Sequence, residues 1–230
     1  MGEHEPVSLA DIRRHIFGTY INMRLWLGIV AFAYPIVLYG WGAYKGVPLA
    51  QSISHYYWNL TELNSPVRNL MVGGLFAVGF SLFLYQGFTK RENYALNLAG
   101  IFAIGVALFP TEISCEPNCA KLTLHGFFAV SLFVCLVYVT WFRSRDTLRY
   151  LPVVAVKKYK RMYFIAGLIM LASPLIAFVL QALLQQSGKH IFFIEAAGVW
   201  AFAGYWFIKT TEMRQSGAEE KAKFAGQGEA

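Results

Sequence analysis

Two ionisable side chains sit in runs of sequence that otherwise hold none. Glu195 lies in IFFIEAAGVWAF, with no second charge near it. His125 lies in LTLHGFFAVSLF, four residues past Lys121, or roughly 6 Å further along a helix. Glu195 is six residues past Lys189, roughly 9 Å by the same measure. An ionisable group that deep in an apolar segment is costly, and by default it points to function. A desolvated carboxylate suits a metal ligand, a general base or a proton carrier, and an imidazole suits ligation or acid–base work near neutral pH. Both groups also have a structural reading, Glu195 tied to Arg68, Lys121 or His125, and His125 hydrogen-bonded at a helix start. His125 and Glu195 are the catalytic candidates. His190 is about 140° around a helix from Glu195 and belongs to the surface.

Around them stand groups suited to holding a ligand. Ser54 and His55 in SISHYYW suggest a nucleophile and base, but adjacent residues rarely take that geometry, and a triad needs a third group. A loop that meets a lipid headgroup through Ser54, His55 and Tyr56, with Tyr57 and Trp58 at the interface, is the expectation. Arg68 and Lys121 would face phosphate as charged donors, and Glu112 would line the same mouth. Cys115 and Cys119 fall in a short polar hairpin, LFPTEISCEPNCAKLTLHG. Outside the cytoplasm that pair favours a disulfide; a zinc or redox role needs partners at a recognised spacing, and none is visible. HExxH, HxxxH, Walker A, GxGxxG and GxSxG are all absent, so the sequence specifies neither metal nor cofactor. Only His125 sits convincingly inside an apolar run, which argues against bis-histidine haem.

The elements that position these groups are apolar. Of 230 residues, 57% are hydrophobic and 14% charged, against about 25% charged in soluble proteins. Six runs approach the roughly 20 residues a spanning helix needs, at about 25–44, 69–88, 94–109, 122–142, 162–184 and 191–208. The fold class expected is an all-α, polytopic bundle of six transmembrane helices. Residues 1–24, with Ser8 and Asp11 as a capping pair and Leu9, Ile12, Ile16 and Tyr20 at helical spacing, predict an amphipathic surface helix. Residues 25–208 form the membrane domain, and 209–230 a polar, disordered tail. Of the 20 Lys and Arg residues, all but Lys45, Arg68, Lys121 and Lys189 fall between alternate spans or at the two ends. That puts both termini in the cytoplasm and the hairpin outside. It also accounts for the net charge of +7 without a nucleic-acid partner. Gly73 with Ala77, and Ala99, Ala103 and Ala107, read as stripes for close helix packing. Trp26, Trp41, Tyr44, Trp141 and Trp206 read as an interfacial belt.

Ser52-Ile53-Ser54, with Ser65-Pro66-Val67-Arg68 opening the second span, resembles the outer loop of six-span proteins of the DRAM/FRAG type. Leu124-His125-Gly126 with Ala129, Phe133 and Tyr138 is similar to that family's fourth span, and Asn97 in the third span also fits. The likeness touches about half the chain, spans 2–4. It implies a membrane protein linked to lipid remodelling, phosphoinositide or sterol handling, and autophagy. A weaker likeness is to membrane-embedded zinc hydrolases of the alkaline ceramidase type, whose HxxxH pair this chain does not carry.

Together these readings predict an integral membrane protein with an outward-facing polar pocket. It would bind or process an outer-leaflet lipid, with hydrolysis at His125 and Glu195 as the enzymatic form. Its partners would be membrane lipids and other membrane proteins. A non-catalytic subunit or scaffold of a larger membrane complex is the alternative class. Proton-coupled transport through Glu195 finds no inverted repeat and no second buried acid to continue a path.

Overall fold

The computed structural model describes residues 8–58, 66–112, 123–184 and 188–217. Among the described residues all regular structure is helical. In order these are α1 (Leu9–Tyr44), a 3-10 turn (Ser54–Trp58), α2 (Pro66–Leu84), α3 (Lys90–Leu108), α4 (Leu124–Tyr138), a π-helical turn (Val139–Arg143), α5 (Arg145–Leu148), α6 (Val153–Leu184) and α7 (His190–Ser216). Local chemistry sets several ends. Ser8 caps α1 by accepting from Asp11 N–H, and Thr123 caps α4 by accepting from Gly126 N–H. Thr89 caps α3 by accepting from Glu92 N–H, while the Glu92 carboxylate accepts from Phe88 N–H at 2.8 Å. That reciprocal pair satisfies two of the donors a helix start leaves over. Gly217 ends α7 in the left-handed region at φ 57°, where a side chain would be strained.

The long helices close a ring in which α1, α2, α3, α4, α6 and α7 each pack on the next, and α7 returns to α1. Every seam has a glycine with no room for a Cβ. Gly74 faces the Tyr34 ring, Gly79 and Gly100 face each other's backbone, and Gly105 faces Phe128. Gly167 faces Trp141, Gly198 faces Ser173, and Gly28 faces Phe207. Close approach of this kind holds helices together where lipid removes the hydrophobic drive between them.

The outer surface is that of a membrane protein. Phe32, Ile36, Phe80, Phe83, Val134, Leu168 and Leu175 all point outward and are exposed, far more apolar surface than water tolerates on a soluble monomer. Among the described residues, five helices are long and apolar enough to cross a membrane: His15–Tyr44, Pro66–Leu84, Leu124–Leu148, Val153–Leu183 and His190–Ser216. The remaining ring member, α3, opens with Lys90, Arg91, Glu92 and Asn93 and is not among them.

Several sequence expectations are corrected here. Residues 9–24 do not form a separate element but continue into the first span as one helix, and Arg24 is wholly buried. Residues 209–216, expected to belong to a polar tail, are instead the last turns of α7, which bury Lys209, Thr210 and Glu212; residues 218–230 lie outside the described residues. Trp206 is fully buried, so it is no belt residue. Gly73 and Ala77 lie on the exposed face of α2, and the seam with α3 is made by Gly79 instead. Cys115 and Cys119 lie outside the described residues, as do Glu116 and Lys121.

One end of the ring is sealed by a buried polar knot that periodicity could not reveal. Lys209 Nζ lies 3.1 Å from Glu212 Oε2 and 2.7 Å from Thr147 Oγ1. Thr147 and Tyr163 hydroxyls also donate to Glu212, at 2.9 and 3.1 Å. Arg24 reaches the Tyr85 hydroxyl at 3.4 Å, and Tyr85 packs edge-on against Trp206. The start of α1 and the end of α7 therefore share this end. Removing one partner of a buried pair strands the other charge, at a cost of about 3–5 kcal/mol. Lys209→Met is expected to lower the thermal midpoint in detergent sharply, and Lys209→Met with Glu212→Gln to recover part of the loss.

Candidate functional site

The opposite end of the ring is capped by residues 45–58, folded down over the helix ends. Val47, Ile53 and Tyr56 are buried against Leu38, Val67, Met71, Phe192 and Ala196. Polar straps fix the segment at three points, two of them on α7. Phe192 N–H donates to Gln51 O at 2.9 Å, which uses a free donor in the first turn of α7. Trp58 Nε1 donates to Thr111 O at 2.6 Å. Ile53 N–H donates to Glu195 Oε2 at 2.8 Å.

With its backbone held so, Ser54 presents its hydroxyl to α4. Ser54 Oγ lies 3.0 Å from His125 Nε2, and His125 Nδ1 lies 2.8 Å from Phe109 O. A carbonyl can only accept, so Nδ1 carries the ring hydrogen in the neutral imidazole, and Nε2 is free to accept from Ser54. A hydroxyl is thus aimed at the basic nitrogen of an oriented histidine. His55, the neighbour considered from sequence, does not serve Ser54. Its Nδ1 is 2.8 Å from Ser52 Oγ, which also accepts from His55 N–H at 3.2 Å.

These groups surround the mouth of a cavity of about 240 Å³ inside the ring. Ser52, Ser54, His55, Thr111, Glu112, Thr123, His125, Gln181 and Glu195 line its polar part. Below them the lining turns apolar, with Leu75, Val106, Ala129, Leu132, Phe133, Ala177 and Val199. A second cavity of about 60 Å³ continues toward the buried knot, sharing Tyr34, Leu75, Leu132, Phe133 and Val199 with the first. Its lining has no exposed polar surface.

His125, Glu195, Ser54, His55 and Glu112 therefore lie around one cavity. Tyr56 does not; it is fully buried, packs edge-on against Phe192 and faces Gly42. Burial raises its phenol above the ordinary value, so it stays neutral. Arg68 stacks its guanidinium 4.5 Å from the Tyr57 ring centre and does not line the cavity. His190 is exposed at the start of α7. Gln181, Ser173 and the Phe109 carbonyl were not singled out from sequence, and Ser52 was named there only within the Ser52-Ile53-Ser54 motif. Among the described residues no cluster of three or more His, Cys, Asp or Glu could hold a metal ion.

Compared with family models, curated proteins and solved structures, the chain matches none.

The carboxylate of Glu195 accepts from the buried Ile53 N–H, so Glu195→Leu would leave that donor without an acceptor, at about 1–3 kcal/mol. Amide hydrogen exchange across residues 50–58 is expected to speed up markedly in that variant. In Glu195→Gln, which keeps one acceptor oxygen, the increase should be smaller.

Proposed function

We propose that this chain is a six-span membrane esterase or acyl-transfer enzyme acting on a lipid ester, with Ser54 as nucleophile and His125 as base. The observation that carries the reading is the Ser54–His125–Phe109 carbonyl relay at the mouth of a cavity that turns apolar with depth. The logic is that of a serine–histidine site in which a backbone carbonyl, rather than a carboxylate, sets the imidazole tautomer. Ser54 Oγ attacks the ester carbonyl carbon as His125 Nε2 takes the hydroxyl proton. The tetrahedral adduct collapses, the bond to the leaving alcohol breaks, and His125 returns the proton to that alcohol. Water, deprotonated by His125, then attacks the acyl carbon; the bond to Ser54 Oγ breaks, His125 returns the proton to Ser54 Oγ, and the acid is released, while a second alcohol in place of water gives transfer instead of hydrolysis. Glu195 acts on this reading as a positioning residue, because its contact with Ile53 holds the backbone that aims Ser54.

The sixth span of this proposal is α3, whose outward face carries Tyr94, Leu98, Ile101 and Leu108, all exposed and mostly apolar. The site end would face away from the cytoplasm, in line with the clustering of Lys and Arg toward the other end. Both termini would then be cytoplasmic.

In detergent or nanodiscs, a fluorophosphonate probe is expected to label Ser54 and to lose that label in Ser54→Ala. His125→Gln should slow hydrolysis of p-nitrophenyl butyrate by roughly a hundredfold or more. Failure of the probe to react with Ser54 in folded protein would reduce the serine–histidine contact to a loop fastening.

A further inference from the structure

We infer that the two cavities form one shaft for a single acyl chain of a membrane lipid, admitted sideways from the bilayer between α4 and α6 past Val130 and Phe178. The inference deepens the esterase reading and rests on it for the position of the ester bond. It stands on three independent features of the ring.

The first is the gradient of polarity along the axis. Hydroxyls, imidazoles and carboxylates line the mouth, while the deeper cavity is walled by Ala31, Leu82, Ala103, Leu136 and Phe202. A compact polar molecule would leave that lower volume unused, whereas an amphiphile with its ester at Ser54 fills both. Below the mouth, Tyr34 spends its hydroxyl on Met71 O at 2.6 Å, and the polar side chain without such a partner among the described residues is Ser173. It is 4% exposed, lines the cavity over Gly198, and its Oγ has no hydrogen-bond partner. Gly198 lies three residues past Glu195, so this hydroxyl sits roughly 4.5 Å deeper, within reach of a polar atom near the head of the ligand.

The second is length. From His125 to Leu136 the shaft follows eleven residues of α4, roughly 16 Å. Half of a bilayer's hydrocarbon core is about 15 Å. The shaft is therefore as deep as the space an acyl chain occupies in its own leaflet. It stops at the end sealed by Trp206 and the Lys209–Glu212 pair.

The third is the wall. Val130 is 43% exposed on the outer surface and Phe178 38%, yet both also line the cavity. At that place the ring is one side chain thick. The α4–α6 seam is pinned nearer the knot, where Gly167 meets Trp141 and Trp141 Nε1 donates to Phe164 O at 3.2 Å. Pro174, which removes one backbone hydrogen bond from α6, lines the cavity four residues from Phe178. Glu112 is exposed and also lines the mouth. A lipid can thus slide its chain in between the helices while its polar head stays toward water.

The test uses the full chain in phosphatidylcholine nanodiscs. A hexadecanoyl ester bearing a diazirine at the chain end is expected to label Leu136, Val199 or Phe202 on light activation. Label confined to outward residues such as Val134 or Leu168 would overturn the shaft. This readout does not need catalysis. Shaft labelling without butyrate hydrolysis would sink the esterase reading alone, and hydrolysis without shaft labelling would sink this inference alone. In active protein, Val199→Phe is expected to lower the ratio of hexadecanoate to butyrate hydrolysis by about tenfold or more. Phe178→Trp should lower the same ratio and slow labelling of the shaft. An unchanged ratio and unchanged labelling in both variants would overturn the inference.

Discussion

Helices that touch backbone to backbone leave little between them but can leave a space in the middle. That constraint governs this protein. In lipid the apolar outer faces gain nothing by hiding from their surroundings, so the bundle depends on close packing. The glycines at its seams let six helices approach their neighbours at once. A side chain at any of those positions would have to move a ring, a hydroxyl or a carbonyl. The same arrangement that closes the ring keeps the axis open, because the small residues spend their contacts at the seams. What fills the axis is then decided at its two ends.

The ends solve the problem of buried polarity in different ways. At one, Lys209, Thr147 and Tyr163 all converge on Glu212 Oε2, and large rings pack around them, while Glu212 Oε1 and the Tyr205 hydroxyl have no hydrogen-bond partner among the described residues. At the other, a folded connection brings Ser52, Ser54 and His55 to meet polar groups of the helices, His125, Gln181 and Glu195. Ile53 lends its backbone donor to Glu195, and the next residue turns its hydroxyl to His125. The carboxylate is engaged with a backbone amide while the hydroxyl meets the imidazole, and this moves the chemistry from Glu195 to the serine–histidine contact.

Much of the ring was legible in the chain. Apolar runs of spanning length, an unusually low charge content and the capping pair Ser8 and Asp11 mark helices in lipid. Helix ends were less legible. Lys209 and Glu212 look like the start of a solvated tail because hydropathy records what a side chain prefers, not which partner waits for it. Trp206 at an apparent span end looks interfacial for the same reason. The small-residue stripe at Gly73 and Ala77 misled because spacing identifies a face of a helix without saying what lies opposite it.

The chain by itself determined that helices dominate, that their outer faces are apolar, and that Glu195 and His125 are anomalies in need of a reason. Periodicity and composition suffice for that, since each follows from the preference of a local segment for lipid or water. Only the tertiary structure decided that Ser54 answers to His125 across 71 positions and Ile53 to Glu195 across 142. Contacts at such separations depend on how the ring closes and on where a connection folds back, and no single segment encodes either.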